Sequence, residues 1–162
     1  MRLYAIDRLI LVLAIVCGAV FGLQWLGGTD TTPLTARDAA GVKEIRVLQR
    51  GELRLDLLRD ADGWMITHPE IARARSARVG QLLGLLRTAS LRSWPVSKDL
   101  LAQSGLDDPA RTLQFDDLKI EFGGPSTPPG QRYVRVGDRI HLIDELWFYI
   151  GGLPASHYRK AD

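Results

Sequence analysis

The sequence predicts an α+β fold: one apolar N-terminal helix, then a small domain of antiparallel β-hairpins packed on one main amphipathic helix. Three observations carry this. Leu9 to Leu26 is an apolar run without a charge. From Glu44 to Leu57, and again from Thr112 to Ile143, apolar and polar residues alternate with the period of two that half-buried strands need. From Ser76 the period changes to that of a helix.

The apolar run reads LILVLAIVCGAVFGLQWL, with Gln24 its one strongly polar side chain. Eighteen residues at helical rise span about 27 Å, against a hydrocarbon core of ~30 Å. In lipid a helix satisfies its own backbone groups, so residues 9–26 are expected to form a transmembrane helix, with Tyr4 and Trp25 at the two interfaces. Arg2 and Arg8 precede the run, and the first base after it is Arg37. The positive-inside bias therefore leaves residues 1–8 as a short cytoplasmic N-terminus and exports the rest. A cleavable signal peptide competes with this expectation. Its best small-residue pair, Cys17 and Ala19, would leave an apolar region of about eight residues, the short end of the range, and Val16 is not the small residue that a lipoprotein signal needs before Cys17. The uncleaved anchor is preferred. Ala14, Gly18 and Gly22 recur every four residues and share one helix face, a stripe on which a second transmembrane helix can pack closely.

Residues 27–41 open with Gly-Gly and lack periodicity, so they are expected to form a flexible tether to an exported domain at 42–162. In that domain Ile45 and Val47, then Leu53, Leu55 and Leu57, flank Arg50-Gly51 as a hairpin. Trp64-Met65-Ile66 follows the Asp60–Gly63 turn and stops at His68-Pro69. The helix from Ser76 places Val79, Leu82, Leu83, Leu86 and Ala89 on one side, with the helix-weakening Gly80 and Gly84 on the other. Leu91 to Val96 is extended, and Lys98 to Gln103 is a short helix ended by Ser104-Gly105. Thr112 to Phe115 and Leu118 to Phe122 flank Asp116-Asp117. Gly123 to Gly130 is expected to be irregular, Arg132 to Val136 and Arg139 to Ile143 to be a last hairpin, and Glu145 to Ile150 a helix ended by Gly151-Gly152. Three strands followed by a helix thus occur at 44–90 and again at 112–151, the pattern of a duplication.

Charge and chemistry-bearing residues narrow the function. Beyond residue 26 there are nineteen bases against eighteen acids, which gives no reason to propose nucleic acid as a partner. No acid falls between Glu70 and Asp99, whereas Arg73, Arg75, Arg78, Arg87, Arg92 and Lys98 do; a solvated helix face outweighs a patch for anionic lipid or an acidic partner. The single cysteine, Cys17, lies in the apolar run, so no intrachain disulfide or thiolate metal site forms. His68, His141 and His157 lack metal-ligand spacing, and His141 falls at an outward strand position. Asp60 and Asp62, Asp107 and Asp108, and Asp116 and Asp117 each sit where a turn is wanted. The 123–130 loop has no lysine and lacks the ending of a phosphate-binding loop. No catalytic residue, metal ligand or cofactor site is assigned. Trp147, Phe148 and Tyr149 are the candidate partner surface, because aromatic side chains concentrate binding energy.

The order DGWMITHPEIARARSARVGQLLGLL, SGLDDPARTLQF, IEFGG and RYVRVGDRIHLI resembles the bacterial family called domain of unknown function 4340. The residues that carry the likeness are Gly63, Trp64, Pro69, Val79, Leu82, Leu83, Leu86, Gly105, Leu106, Pro109 and Gly123, and it covers roughly Val42 to Asp144. The family's small residue and acid before the helix are replaced here by Arg75-Ser76, which leaves Ser76 as the expected cap. Many members carry further copies of the domain, so this chain is similar to a minimal version. The resemblance implies a membrane-anchored envelope protein of bacteria, found in some relatives beside ABC-type transport components, and carries over no catalytic residue. The expectation is a non-enzymatic accessory or scaffold subunit in the inner membrane, with its domain in the periplasm and a membrane protein or a second copy as partner. A periplasmic binding module for glycan, lipid or peptide is the alternative, and an envelope enzyme comes third.

The small-residue stripe gives the first prediction. Gly18→Leu should leave insertion intact and weaken helix association by ~1–2 kcal/mol, about tenfold in a membrane association assay, whereas Val16→Leu should change little. Equal association for Gly18→Leu and wild type would reduce the segment to a passive tether.

Overall fold

Alternation in the sequence becomes one antiparallel sheet in the computed structural model, which describes residues 32–127 and 129–160. The expected anchor (9–26) and its stripe Ala14, Gly18 and Gly22 lie outside the described residues. Among those described, no helix is long and apolar enough to cross a membrane.

In chain order the strands are β1 (Thr32–Pro33), β2 (Glu44–Gln49), β3 (Glu52–Asp60), β4 (Gly63–His68), β5 (Ala72–Arg73), β6 (Ala89–Ser90), β7 (Arg92–Pro95), β8 (Arg111–Phe115), β9 (Leu118–Pro125), β10 (Gln131–Val136) and β11 (Arg139–Asp144). Nine of them form a sheet in the order β5-β4-β3-β2-β8-β9-β10-β11-β7, and β1 pairs with β6 apart from it. The sheet is two meanders, β2–β5 and β8–β11, joined where β2 pairs with β8 (Ile45 opposite Phe115, Val47 opposite Leu113), with β7 added at the edge beside β11. Each half therefore has four strands, not the expected three. β5 is two residues beyond Pro69, too short to show a period, and both strands of the second hairpin belong to their half.

Asp116 ties the halves together: its carboxylate accepts the N–H groups of Lys43 and Glu44 (3.0 and 2.9 Å) while it makes the β8–β9 turn. One face of the sheet carries the core, including Ile45, Leu57, Trp64, Phe115, Ile120 and Phe122, all buried. The opposite face is polar over β2 and β3, where Arg46 pairs with Glu44 and with Asp56.

The core is covered by α1 (Ser76–Leu83) and a 3-10 turn over Gly84–Arg87, which bury Val79, Leu82, Leu85 and Leu86. The helix is shorter than its apolar period implies, and Ala89 is in β6. Tightening to a 3-10 turn at Gly84 brings both Leu85 and Leu86 to the core, which one regular helix face would not. Ser76 does not cap α1; it is the first helical residue, after an Arg75 N-cap that makes no side-chain capping bond.

The packed domain also starts earlier than Val42. Thr32 and Pro33 pair with Ser90 and Ala89, Leu34 and Ala39 are buried, and Asp38 caps a 3-10 turn over Ala39–Gly41. Residues 32–41, expected in the tether, belong to the fold; their lack of period concealed contacts made one at a time.

The 123–130 segment is corrected in part as well, since β9 continues to Pro125. Gly123 is a strand residue because α2 (Lys98–Ser104) ends against it. A Cβ there would collide with the Ser104 carbonyl oxygen and with Leu106, which is 3 % exposed. Gly105 takes the left-handed C-cap conformation (φ 65°) that ends α2 as the sequence predicts.

Both sheet edges are protected. Beside β5, Arg75 N–H donates to the Tyr158 carbonyl (2.7 Å) and Lys160 N–H to that of Arg73 (2.8 Å). At β7, Val96 N–H points inward to the Asp138 carbonyl (2.9 Å), so the preceding Pro95 faces outward and offers no donor.

The glycines give opposite expectations for one substitution. Gly123→Ala should destabilise the fold by ~1–3 kcal/mol, because backbone stands where the methyl must go. Gly80→Ala, with nothing within 4 Å of the new atom, should stabilise it by ~0.4–1 kcal/mol. Thermal unfolding followed by tryptophan emission reads both; a stabilising Gly123→Ala would contradict the packing of α2 on β9.

Candidate interaction site

The helix after β11, α3 (Leu146–Ile150), collects the domain's least expected side-chain arrangement. Asp144 accepts Leu146 N–H (2.8 Å) and starts the helix. Trp147 turns inward. Its indole fills the space above Gly84, where a Cβ would lie 2.9 Å from the ring, and its N–H donates to Thr88 Oγ1 (2.8 Å).

Phe148 also turns inward, with its ring centroid 6.0 Å from that of Phe122. Two guanidinium groups lie over the ring, Arg132 at 3.8 Å and Arg111 at 4.1 Å from its centroid. Both arginines are at most 9 % exposed and stand at core-facing strand positions, in phase with Leu113 and Phe115 on β8 and with Val134 on β10. Arg132 donates to the Gly123 carbonyl (2.6 Å) and to Glu145 Oε1 (2.8 Å), and Arg111 donates to the Phe148 carbonyl. Each contact of a partly desolvated cation with a ring face contributes about 0.5–2 kcal/mol.

Burial lowers the Arg111 pKa, the Arg132 charge lowers it further, and Tyr158 opposes both. Tyr158 belongs to α4 (Ala155–Tyr158), which the sequence did not suggest. Its hydroxyl donates to the Ile150 carbonyl (2.9 Å), and burial pushes its pKa up to about 12 against the Arg111 charge. Gly151 and Gly152 follow α3 because a Cβ would meet Leu113 at the first and the Arg111 guanidinium at the second.

The candidate surface Trp147, Phe148 and Tyr149 is thus divided. The first two are anchors, and Tyr149 alone faces outward, 62 % exposed. Leu146, which the sequence did not single out, is 57 % exposed three residues earlier on the same face. α3 is held rigidly from beneath and presents Leu146 and Tyr149 to whatever lies outside.

The other sequence candidates do not converge. His141 is buried rather than outward, its Nδ1 2.9 Å from Ser90 Oγ. Ile140, His141, Leu142 and Ile143 are all buried, so β11 lacks the alternation that marks a half-exposed strand. His68 ends β4, and His157 packs edge-on against Tyr158 with ring centroids 5.2 Å apart. Among the described residues no three His, Cys, Asp or Glu side chains are placed to hold a metal. Asp60 and Asp62 hold Arg73 (2.7 and 3.2 Å), Asp117 pairs with Arg37, and Asp107 accepts Asp108 N–H (3.1 Å). Arg87 lies 3.8 Å from Asp38, so two bases of the acid-free run have acidic neighbours brought from elsewhere in the chain. A cleft of about 460 Å³ is lined by Trp64, Arg73, Arg75, Ser76 and Lys160 with Asp62.

Comparison of the chain with family models, curated proteins and solved structures found no match.

The histidines make stability depend on pH in a stated direction. Burial and the Arg139 charge lower the His141 pKa; burial and the charges of Arg78 and Arg75 lower that of His157. Above the unfolded value of about 6.5 both are neutral folded or unfolded, and below it the unfolded chain takes up protons first. Stability should be flat near pH 7.5 and fall as the pH drops below about 6.5. His141→Gln should flatten part of that loss, leaving the share of His157. An unchanged slope of melting temperature against pH in His141→Gln would show that His141 protonates as readily in the fold as out of it.

Proposed function

We propose that the chain is a non-enzymatic, membrane-anchored envelope protein, an accessory or scaffold subunit of an inner-membrane complex, with an ABC-type transport system as the candidate complex. One observation carries the reading: several of the side chains best able to do chemistry hold the fold. Arg111 and Arg132 grip Phe148, His141 meets Ser90, and Asp60, Asp62 and Asp116 fix turns and edges. The apolar run at 9–26 supports the anchor, its flanking arginines the exported domain, and the ordered likeness to the domain of unknown function 4340 family the bacterial envelope. The two four-stranded meanders, each followed by a helix, support an origin by duplication. The Ala14, Gly18 and Gly22 stripe is the contact to a partner helix or a second copy.

A periplasmic ligand-binding module is the second reading. It is favoured by the cleft that sets Arg75 and Lys160 beside Trp64, a site for an acidic ligand with an apolar part.

A reporter that works only in the periplasm, fused after Asp162, should be active, and the mature protein should keep its N-terminal segment. A mature N-terminus at Val20 or later would leave a secreted domain instead. Purified in mild detergent, the full chain should bring down an inner-membrane protein, and Gly18→Leu should lose it. Loss with Arg75→Ala and Lys160→Ala but not with Gly18→Leu would favour the ligand-binding reading.

A further inference from the structure

We propose that the end of the domain where the chain enters at Thr32 rests on the bilayer surface, with Leu91, Leu146 and Tyr149 in its interface. The inference rests on the anchored reading above and adds what covers the outer face of α3.

The length of chain before the fold is the first argument. The apolar run ends at Leu26, and pairing in the fold begins at Thr32, which stands opposite Ser90. Five residues lie between, and in any conformation they reach no further than about 20 Å. A tether to Val42 would have reached about 50 Å and left the domain free of the surface. A contact with lipid is then nearly intramolecular, so a modest apolar patch suffices.

The second argument is what surrounds the entry point. Leu91 follows Ser90 and is 40 % exposed. Leu34 N–H donates to the Thr88 carbonyl (2.8 Å), and Thr88 Oγ1 accepts from Trp147 (2.8 Å), which brings α3 beside the same entry. Leu146 and Tyr149 on its outer face are the other two apolar side chains. Half of the six exposed large hydrophobic residues among those described thus collect at the end of the strands where β11 finishes; Leu58, opposite Glu44, is at the other end. Leucine with tyrosine is the composition that partitions into a membrane interface. The proposed contact is apolar, and Arg87 nearby has Asp38 at 3.8 Å. The contact should therefore form on zwitterionic lipid as readily as on anionic lipid.

The test uses the full chain with Cys17→Ala, carrying one of Leu91→Cys, Leu146→Cys, Tyr149→Cys or Leu58→Cys, labelled with a small fluorophore and reconstituted into phosphatidylcholine vesicles containing nitroxide-labelled lipid. Each of the first three variants leaves the other two apolar contacts in place, and circular dichroism checks the fold. Probes at 91, 146 and 149 should lose roughly half their emission or more, with and without anionic lipid, while that at 58 should not. Flotation with the vesicles is read separately: a chain that does not float fails the anchored reading itself. A chain that floats with its three probes unquenched overturns this inference alone. So does quenching that needs anionic lipid, or shielding from an aqueous quencher without lipid quenching, which would place a second copy on this face.

Discussion

The seam between β2 and β8 is the constraint on which the rest of the domain depends. Each meander alone would be a four-stranded sheet with one apolar face and little to cover it. Pairing Ile45 with Phe115 and Val47 with Leu113 makes those faces continuous, so α1, its 3-10 extension and α3 can close one core. The two strands are distant in sequence, and the loop-closure entropy of bringing them together must be met by the apolar surface they bury. Asp116 adds a polar lock at the end of the seam, where one carboxylate satisfies two N–H groups of the other half.

Much of the sheet was legible because one face of most strands meets solvent. Ile45, Val47, Leu55 and Leu57 alternate with charged residues, and the turns between them carry residues that turns select. Legibility failed where that condition failed. Both faces of β11 are covered, so the outward phase given to His141 was wrong, and β1, β5 and β6 are two-residue pairs too short for any period. The early start of the domain was hidden for the same reason: Leu34 and Ala39 are fixed singly by residues far along the chain.

The candidate surface shows a different limit. Aromatic content at 147–149 was visible, but not which rings point inward, because that depends on Gly84 and on two arginines from other strands. The arginines themselves were within reach: strand phase alone puts Arg111 on the side of Leu113 and Phe115, and Arg132 on the side of Val134. An arginine on an apolar face asks for an acceptor and a stacking partner, and α3 with its N-cap supplies both through Glu145 and the carbonyl oxygen and ring of Phe148. Leu146 gave no signal, since an isolated leucine beside aromatic residues reads as core.

The guarded edges of the sheet limit how copies of this protein can meet. In the proposed inner-membrane setting the protein diffuses in two dimensions, where encounters between identical neighbours are frequent and their orientations restricted. An open strand at either margin would let such encounters propagate into ribbons along the membrane. With Pro95 closing one margin and the 158–160 segment lining the other, lateral growth through backbone pairing is denied. Assembly is left to side-chain surfaces, which can select a partner where a bare strand edge accepts any.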